Sequence, residues 1–156
     1  MQQNTKLEEL KSALTKADIP HEIVVHPPIT TVQEGLDYLG ITASQGVSTL
    51  VFIADGKPVS VIRRDDQKLS FKKVKKLLGV KNLMLASRQE LQDLTGCDIG
   101  YVSLYNPGLS PVMDRTILEQ AQVYGGTGSP EHDLKIAPQE LVRLTGAQIA
   151  DIAESA

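Results

Sequence analysis

Residues 49–63 read Thr49-Leu50-Val51-Phe52-Ile53-Ala54-Asp55-Gly56-Lys57-Pro58-Val59-Ser60-Val61-Ile62-Arg63. Two short β-branched runs, 49–54 and 58–63, flank Asp55-Gly56-Lys57. An Asp-Gly turn between such runs predicts an antiparallel hairpin, because both residues tolerate the positive φ that tight hairpin turns demand. A hairpin this plain argues for a mixed, largely antiparallel sheet with helices packed around it, and against a doubly wound parallel one.

Working downstream, Phe71, Val74, Leu77 and Leu78 share one helical face while Lys72, Lys73, Lys75 and Lys76 fall largely on the other, and Gly79 closes the helix. Residues 82–86 suit a strand. Ser87 then caps a helix carrying Leu91 and Leu94, with Glu90 at capping-box spacing and Gly96 as its stop. Upstream, Leu7, Leu10 and Leu14 predict a first helix capped by Thr5 and ending near Asp18. A strand over 21–25 follows, halted by His26-Pro27-Pro28, and then a helix over 31–39 with Thr30 or Thr31 as cap and Gly40 as stop. Residues 96–111 hold three glycines and two prolines, too much punctuation for a regular element. Beyond them the pattern predicts a strand over 112–114, a short helix over 115–119, a strand over 121–124, a glycine-rich loop over 125–130, a strand over 132–136, a helix over 138–145 and a last short element over 147–152. The expected architecture is one α/β domain of the mixed α+β kind over 1–156, its core spanning about 7–152.

The chain has 156 residues, 41% of them hydrophobic and 22% charged, enough for one packed core. It has no run of 18 apolar residues, and its first residues lack a basic start and an apolar h-region. The reading therefore predicts a soluble cytoplasmic protein with no membrane partner. Its single cysteine, Cys97, fits a reducing compartment and a buried thiol. The net charge of −3 conceals segregation: residues 57–88 carry ten Lys/Arg against two acidic residues, a balance of +8, and the remaining six basic and seventeen acidic residues give −11. A basic segment on an acidic body suits either a phosphate-contacting surface or a solvated helix face.

Standard signatures are missing. Gly125-Gly126-Thr127-Gly128-Ser129 lacks the spacing and lysine of a P-loop, no GxGxxG or GxSxG occurs, and His21, His26 and His132 form no HExxH or Cys/His cluster. The reading predicts no metal and no cofactor. What remains is two glycine-rich loops able to present backbone N–H groups, a His-Pro-Pro segment and a basic helix.

Together these features resemble the YbaK/ProX family of aminoacyl-tRNA deacylases, also called the aminoacyl-tRNA synthetase-associated domain. The likeness runs from about Leu7 to Ile152. It is carried by His26-Pro27-Pro28 with Thr31-Val32-Gln33-Glu34, Thr49-Leu50-Val51-Phe52, Leu69-Ser70-Phe71-Lys72-Lys73-Val74 up to Gly79, Thr95-Gly96 through Ser103, the strand ending at Asp114, and Gly125-Gly126 before Leu134. The resemblance implies a trans-editing enzyme that hydrolyses the ester of a mischarged tRNA bearing alanine, cysteine or serine, on a tRNA such as that for proline. Its partners would be the aminoacyl-tRNA acceptor end and an aminoacyl-tRNA synthetase. Positioning and carbonyl polarisation would do the work, assisted by the substrate's own ribose hydroxyl.

By the same resemblance, the catalytic candidates are Ser48, Thr49, Gly100, Tyr101, Val102 and Ser103. Substrate-binding candidates are His26, Arg63, Asp114 and the wall formed by Gly125, Gly126, Thr127, Gly128 and Ser129. Lys72, Lys73, Lys75 and Lys76 would attract RNA phosphates. Two departures stand out. The family usually places a lysine just before the Thr-Leu of the first hairpin strand, where this chain has Ser48, and its Gly-x-x-x-Pro loop aligns on Gly100 to Leu104, so leucine replaces the closing proline. Arg63 or Arg64 could supply the missing charge from the neighbouring strand. The alternative reading is a catalytically impaired member that binds tRNA, an oligonucleotide or a synthetase, and a weaker third is a small-molecule sensor.

Overall fold

The computed structural model describes residues 2–29 and 31–154, with side chains from Thr5 onward, so Thr30 lies outside the described residues. The hairpin forms as expected: β2 (Val47–Ala54) pairs antiparallel with β3 (Lys57–Arg64), and Ala54 stands opposite Lys57 across a two-residue turn. Asp55 and Gly56 both have positive φ, 47° and 84°, the turn whose twist matches the strands it joins.

Around the hairpin the chain adds α1 (Gln2–Lys16), β1 (Glu22–Val25), α2 (Val32–Leu39), α3 (Phe71–Leu78), β4 (Leu83–Leu85), α4 (Arg88–Thr95), β5 (Val112–Asp114), a 3-10 turn (Arg115–Glu119), β6 (Val123–Gly126), β7 (His132–Ile136), α5 (Pro138–Thr145) and β8 (Gln148–Ala150). The caps read from sequence are in place. Thr31 and Ser87 each accept a backbone N–H from the first turn, and Ser87 with Glu90 closes a full capping box; Ser70, not read as a cap from the sequence, does the same for α3 by accepting from the Lys73 amide. Thr5 is a correction: α1 begins at Gln2, so Thr5 sits within the helix and is not its cap.

The strands form two sheets where a single mixed one was expected. Five run in the order β4-β2-β3-β5-β8, antiparallel around β2 and parallel from β3 to β8, and three form an antiparallel sheet ordered β1-β7-β6. A bridge between Gly46 and Tyr124 ties the two together at the start of β2. The expected loop at 125–130 begins later than the sequence suggests, because Gly125 and Gly126 pair with Leu134 and Asp133 as part of β6.

Packing follows the alternation of β2 and β3. Leu10, Leu14, Ile62, Met113, Leu134 and Leu141 join α1, α5 and both sheets in the main cluster, each at 0% exposure. Full burial of such side chains contributes ~1.5–3 kcal/mol apiece. On the other face of the large sheet, Phe52, Val61 and Val112 take Val74 of α3, and Phe71 meets Phe52 edge-on. A third cluster places Leu91 of α4 and the 97–109 segment against Val51.

Candidate functional site

β4 pairs only with Phe52, Ile53 and Ala54, so the β2 edge from Ser48 to Leu50 is left uncovered by a fourth strand. A cavity of about 400 Å³ opens there, bounded by Ser48, Thr49 and Leu50, by Arg63 of β3, and by Gly100, Val102 and Gly126 opposite. Its outer rim holds Val32, Leu85, Arg88 and Ile99. Ser48, Gly100 and Gly126 also border a small, half-open chamber of about 50 Å³ under α2, whose wall includes Asp65 and Asp133. A larger groove of about 760 Å³ along α1 holds none of the expected site residues.

The two glycine-rich segments meet directly. The Leu104 amide donates to the Gly126 carbonyl at 3.0 Å and the Gly128 amide to the Tyr101 carbonyl at 2.9 Å. A Cβ at Gly126 would collide with the Val102 carbonyl, so only glycine lets the loop lie this close to β6. Leu104 is 1% exposed and packs within the main cluster. Burial therefore restrains this end of the loop where a fixed φ would otherwise do so.

Several polar groups on the cavity wall are left without partners. Thr49 is 7% exposed, yet its Oγ1 has no hydrogen-bond partner, and neither does the buried Nε of Arg63. Arg63 stands directly across the ladder from Ser48. Its Nη1 donates to the Gln67 carbonyl at 2.8 Å. By contrast Arg64 is spent on Asp66, at 2.7 Å, and on Glu119.

The acidic end of the chamber was not legible as a site. Ser48 Oγ donates to Asp65 Oδ1 at 2.6 Å, and burial pushes the Asp65 carboxyl above its ordinary range although Ser48 and Arg63 pull it down. Burial raises Asp133 as well, against the hydrogen bond from His26. His26 Nδ1 donates to the Pro27 carbonyl, 2.7 Å away, and Nε2 lies 3.0 Å from Asp133 Oδ1. Thus His26 braces the chamber wall through Asp133, and both its nitrogens are occupied.

Other candidates are engaged elsewhere. Asp114, 1% exposed, accepts from the Thr116 amide and hydroxyl and, at 3.1 Å, from the Ile152 amide, which caps the 3-10 turn and pins the C-terminal segment. Thr127 and Ser129 bond within their own loop, Thr127 to the His132 carbonyl and Ser129 to the His132 ring. Ser103 accepts from the Tyr105 amide and is fully buried. The lysine face of α3 lies on the Phe52 side of the sheet and none of its four lysines borders the cavity; Lys73 is bound to Asp151 and the Ala153 carbonyl. Cys97 is buried, which raises its thiol pKa. Among the described residues, no three His, Cys, Asp or Glu side chains gather as metal ligands.

The profile of the aminoacyl-tRNA editing domain matches residues 26–144. The chain belongs to that family. Proline–tRNA ligases from Geobacter metallireducens and Geobacter sulfurreducens are 36% and 33% identical over 132 and 134 residues, which is 84% and 85% of this chain. The editing-domain chain spans about a quarter of the length of those ligases, 23% in each case. Among solved structures, a proposed trans-editing enzyme for prolyl tRNA synthetase superposes with a TM-score of 0.85 at 28% identity, covering 96% of this chain and 98% of that one. A hypothetical protein gives 0.87 at 32% identity, covering 93% and 99%. The YbaK-type fold expected from the sequence is thereby established. Among the described residues no helix is long and apolar enough to cross a membrane.

Proposed function

We propose that this chain is a trans-editing deacylase that hydrolyses the ester of a mischarged tRNA carrying alanine, cysteine or serine. The observation that carries the reading is that a 400 Å³ cavity and a 50 Å³ chamber lie side by side and share Ser48, Gly100 and Gly126 in their walls. At roughly 10–15 Å³ per water-sized group, the chamber of about 50 Å³ admits about three to five such groups, which suits a small aminoacyl head. The wider cavity suits the terminal nucleoside, with the apolar Leu85 and Ile99 and the charged Arg88 at its rim.

Arg63 takes the place of the family's lysine and holds the phosphate or ester oxygen through its unpartnered Nε, while the Thr49 hydroxyl bonds the ester or the attacking water. Water adds to the carbonyl carbon, the C–O bond to the ribose breaks, and the vicinal ribose hydroxyl relays the proton to the departing oxygen. The family match and the kinship with proline–tRNA ligases support a tRNA such as that for proline, with a synthetase as partner. A second reading, an RNA-binding relative without the chemistry, draws on Ser48 and on a lysine face remote from the cavity.

Single-turnover hydrolysis of tRNAs charged with alanine, serine, cysteine, threonine and proline tests the proposal. Rates well above buffer for the first three are expected. They should fall about 10- to 200-fold for each methylene-sized excess over the chamber. A series that ignores size contradicts the assignment of the chamber.

A further inference from the structure

Asp65 is a carboxylate in the wall of the 50 Å³ chamber with no ion-pair partner within 4 Å among the described residues. Its side-chain partner there is the neutral Ser48 hydroxyl, and the arginine next to it in sequence is turned to Asp66 and Glu119. Arg63 offers its Nη1 to a carbonyl, Gln67 O. Asp133, on the same chamber, and Asp66 add negative potential, and among the described residues Arg63 is the cation that acts on Asp65. A half-buried charge left this poorly compensated costs stability, and proteins retain such groups where a ligand completes them. A second group points the same way. Thr49, adjacent to Ser48 and more than nine-tenths buried, keeps an Oγ1 without a partner on the adjoining wall.

We infer that Asp65, presented with Ser48, binds the α-ammonium of the aminoacyl ester, so that this site selects substrates bearing a free protonated amine. The inference rests on the deacylase reading and deepens it. In an aminoacyl ester the ammonium stands two bonds from the carbonyl carbon. A carbonyl held at the neck, where Gly100 and Gly126 face both spaces, places that nitrogen in the chamber toward Asp65. Arrival of the cation favours the ionised carboxylate and reverses the effect of burial, so Asp65 gives up any proton it holds to solvent as substrate binds. Replacing a lysine by the Ser48–Asp65 pair thus inverts the local charge: the usual cation for oxygen has moved across the ladder to Arg63, and the vacated position backs an anion for nitrogen.

The test compares alanyl-tRNA with lactyl-tRNA, its hydroxy-acid counterpart made by deamination, in the wild type and in Asp65→Asn, which keeps the acceptor for Ser48. The wild type is expected to prefer the alanyl ester by about 10- to 100-fold in kcat/KM after correction for the esters' buffer rates, the range of a hydrogen bond to a charged group. Asp65→Asn is expected to lose that preference by slowing the alanyl ester alone. An equal loss on both esters makes Asp65 a general base and overturns the inference while leaving the deacylase reading intact. Equal rates for the two esters in the wild type overturn it likewise. Buffer-level rates for every ester remove the deacylase reading and the inference with it. A melting curve for Asp65→Asn, expected to match or exceed the wild type at neutral pH, separates lost recognition from lost folding.

Discussion

Burial of Asp65 has a sign that can be read in solution. Because its pKa is raised, the folded chain holds this proton to higher pH than the unfolded chain does. Its contribution to stability is therefore fully present below the ordinary carboxylate value of 3.8 and is lost as pH rises through the raised folded value. Asp133 behaves the same way, whereas Asp66, lowered chiefly by its hydrogen bond from Arg64, stabilises above the ordinary value and loses that contribution as pH falls through its lowered one. Asp65→Asn removes the ionisation and retains the acceptor, so thermal melts should show the variant gaining on the wild type as pH rises from 4 to 8, with little difference at the acid end. A variant that melts lower than wild type at pH 8 would mean that the ionised carboxylate is already compensated.

At the scale of elements, the site depends on one strand and one loop in close contact. Gly126→Ala places a methyl against the Val102 carbonyl, which is main chain and cannot rotate away. Overpacking of this kind costs about 1–3 kcal/mol, so a lower melting temperature together with slower deacylation is expected, and an unchanged melt would show that the loop shifts freely. What was legible in the sequence follows the same division. Local signals found the hairpin from Asp55-Gly56 and the helix ends from Ser87, Gly79 and Gly96, because turns and caps are settled by neighbours in the chain. The antiparallel register also brought Arg63 within reach of Ser48. The split into two sheets was hidden, since the pairing of Glu22 with Lys135 joins segments that carry no mutual signal in sequence. Asp65 counted in the sequence only as one of two acidic residues in a basic segment, and only the folded hairpin brings it to the Ser48 hydroxyl. Asp133 escaped notice because His26, its partner, lies 107 residues away.

For the molecule as a whole, charge and chemistry are separated. The cavity holds Arg63 and the chamber two carboxylates, while the α3 lysines occupy the side of the large sheet that carries Phe52. We expect Lys72 and Lys76, both exposed, to act on RNA at long range. Replacing both by alanine should weaken tRNA binding and flatten its dependence on salt by about two contacts' worth of slope, with no change in the preference among aminoacyl groups. An unaltered salt slope would remove α3 from the RNA-facing surface. The central claim, that the joined cavity and chamber form an ester-hydrolysing site, meets its most direct test in single-turnover deacylation of alanyl-tRNA by the wild type beside Thr49→Val, an isosteric change that deletes one unpartnered hydroxyl. The account predicts hydrolysis well above the buffer rate for the wild type and a loss of about tenfold or more in the variant, from one hydrogen bond made at the reacting ester. A wild-type rate equal to buffer, or a variant as fast as the wild type, would contradict it.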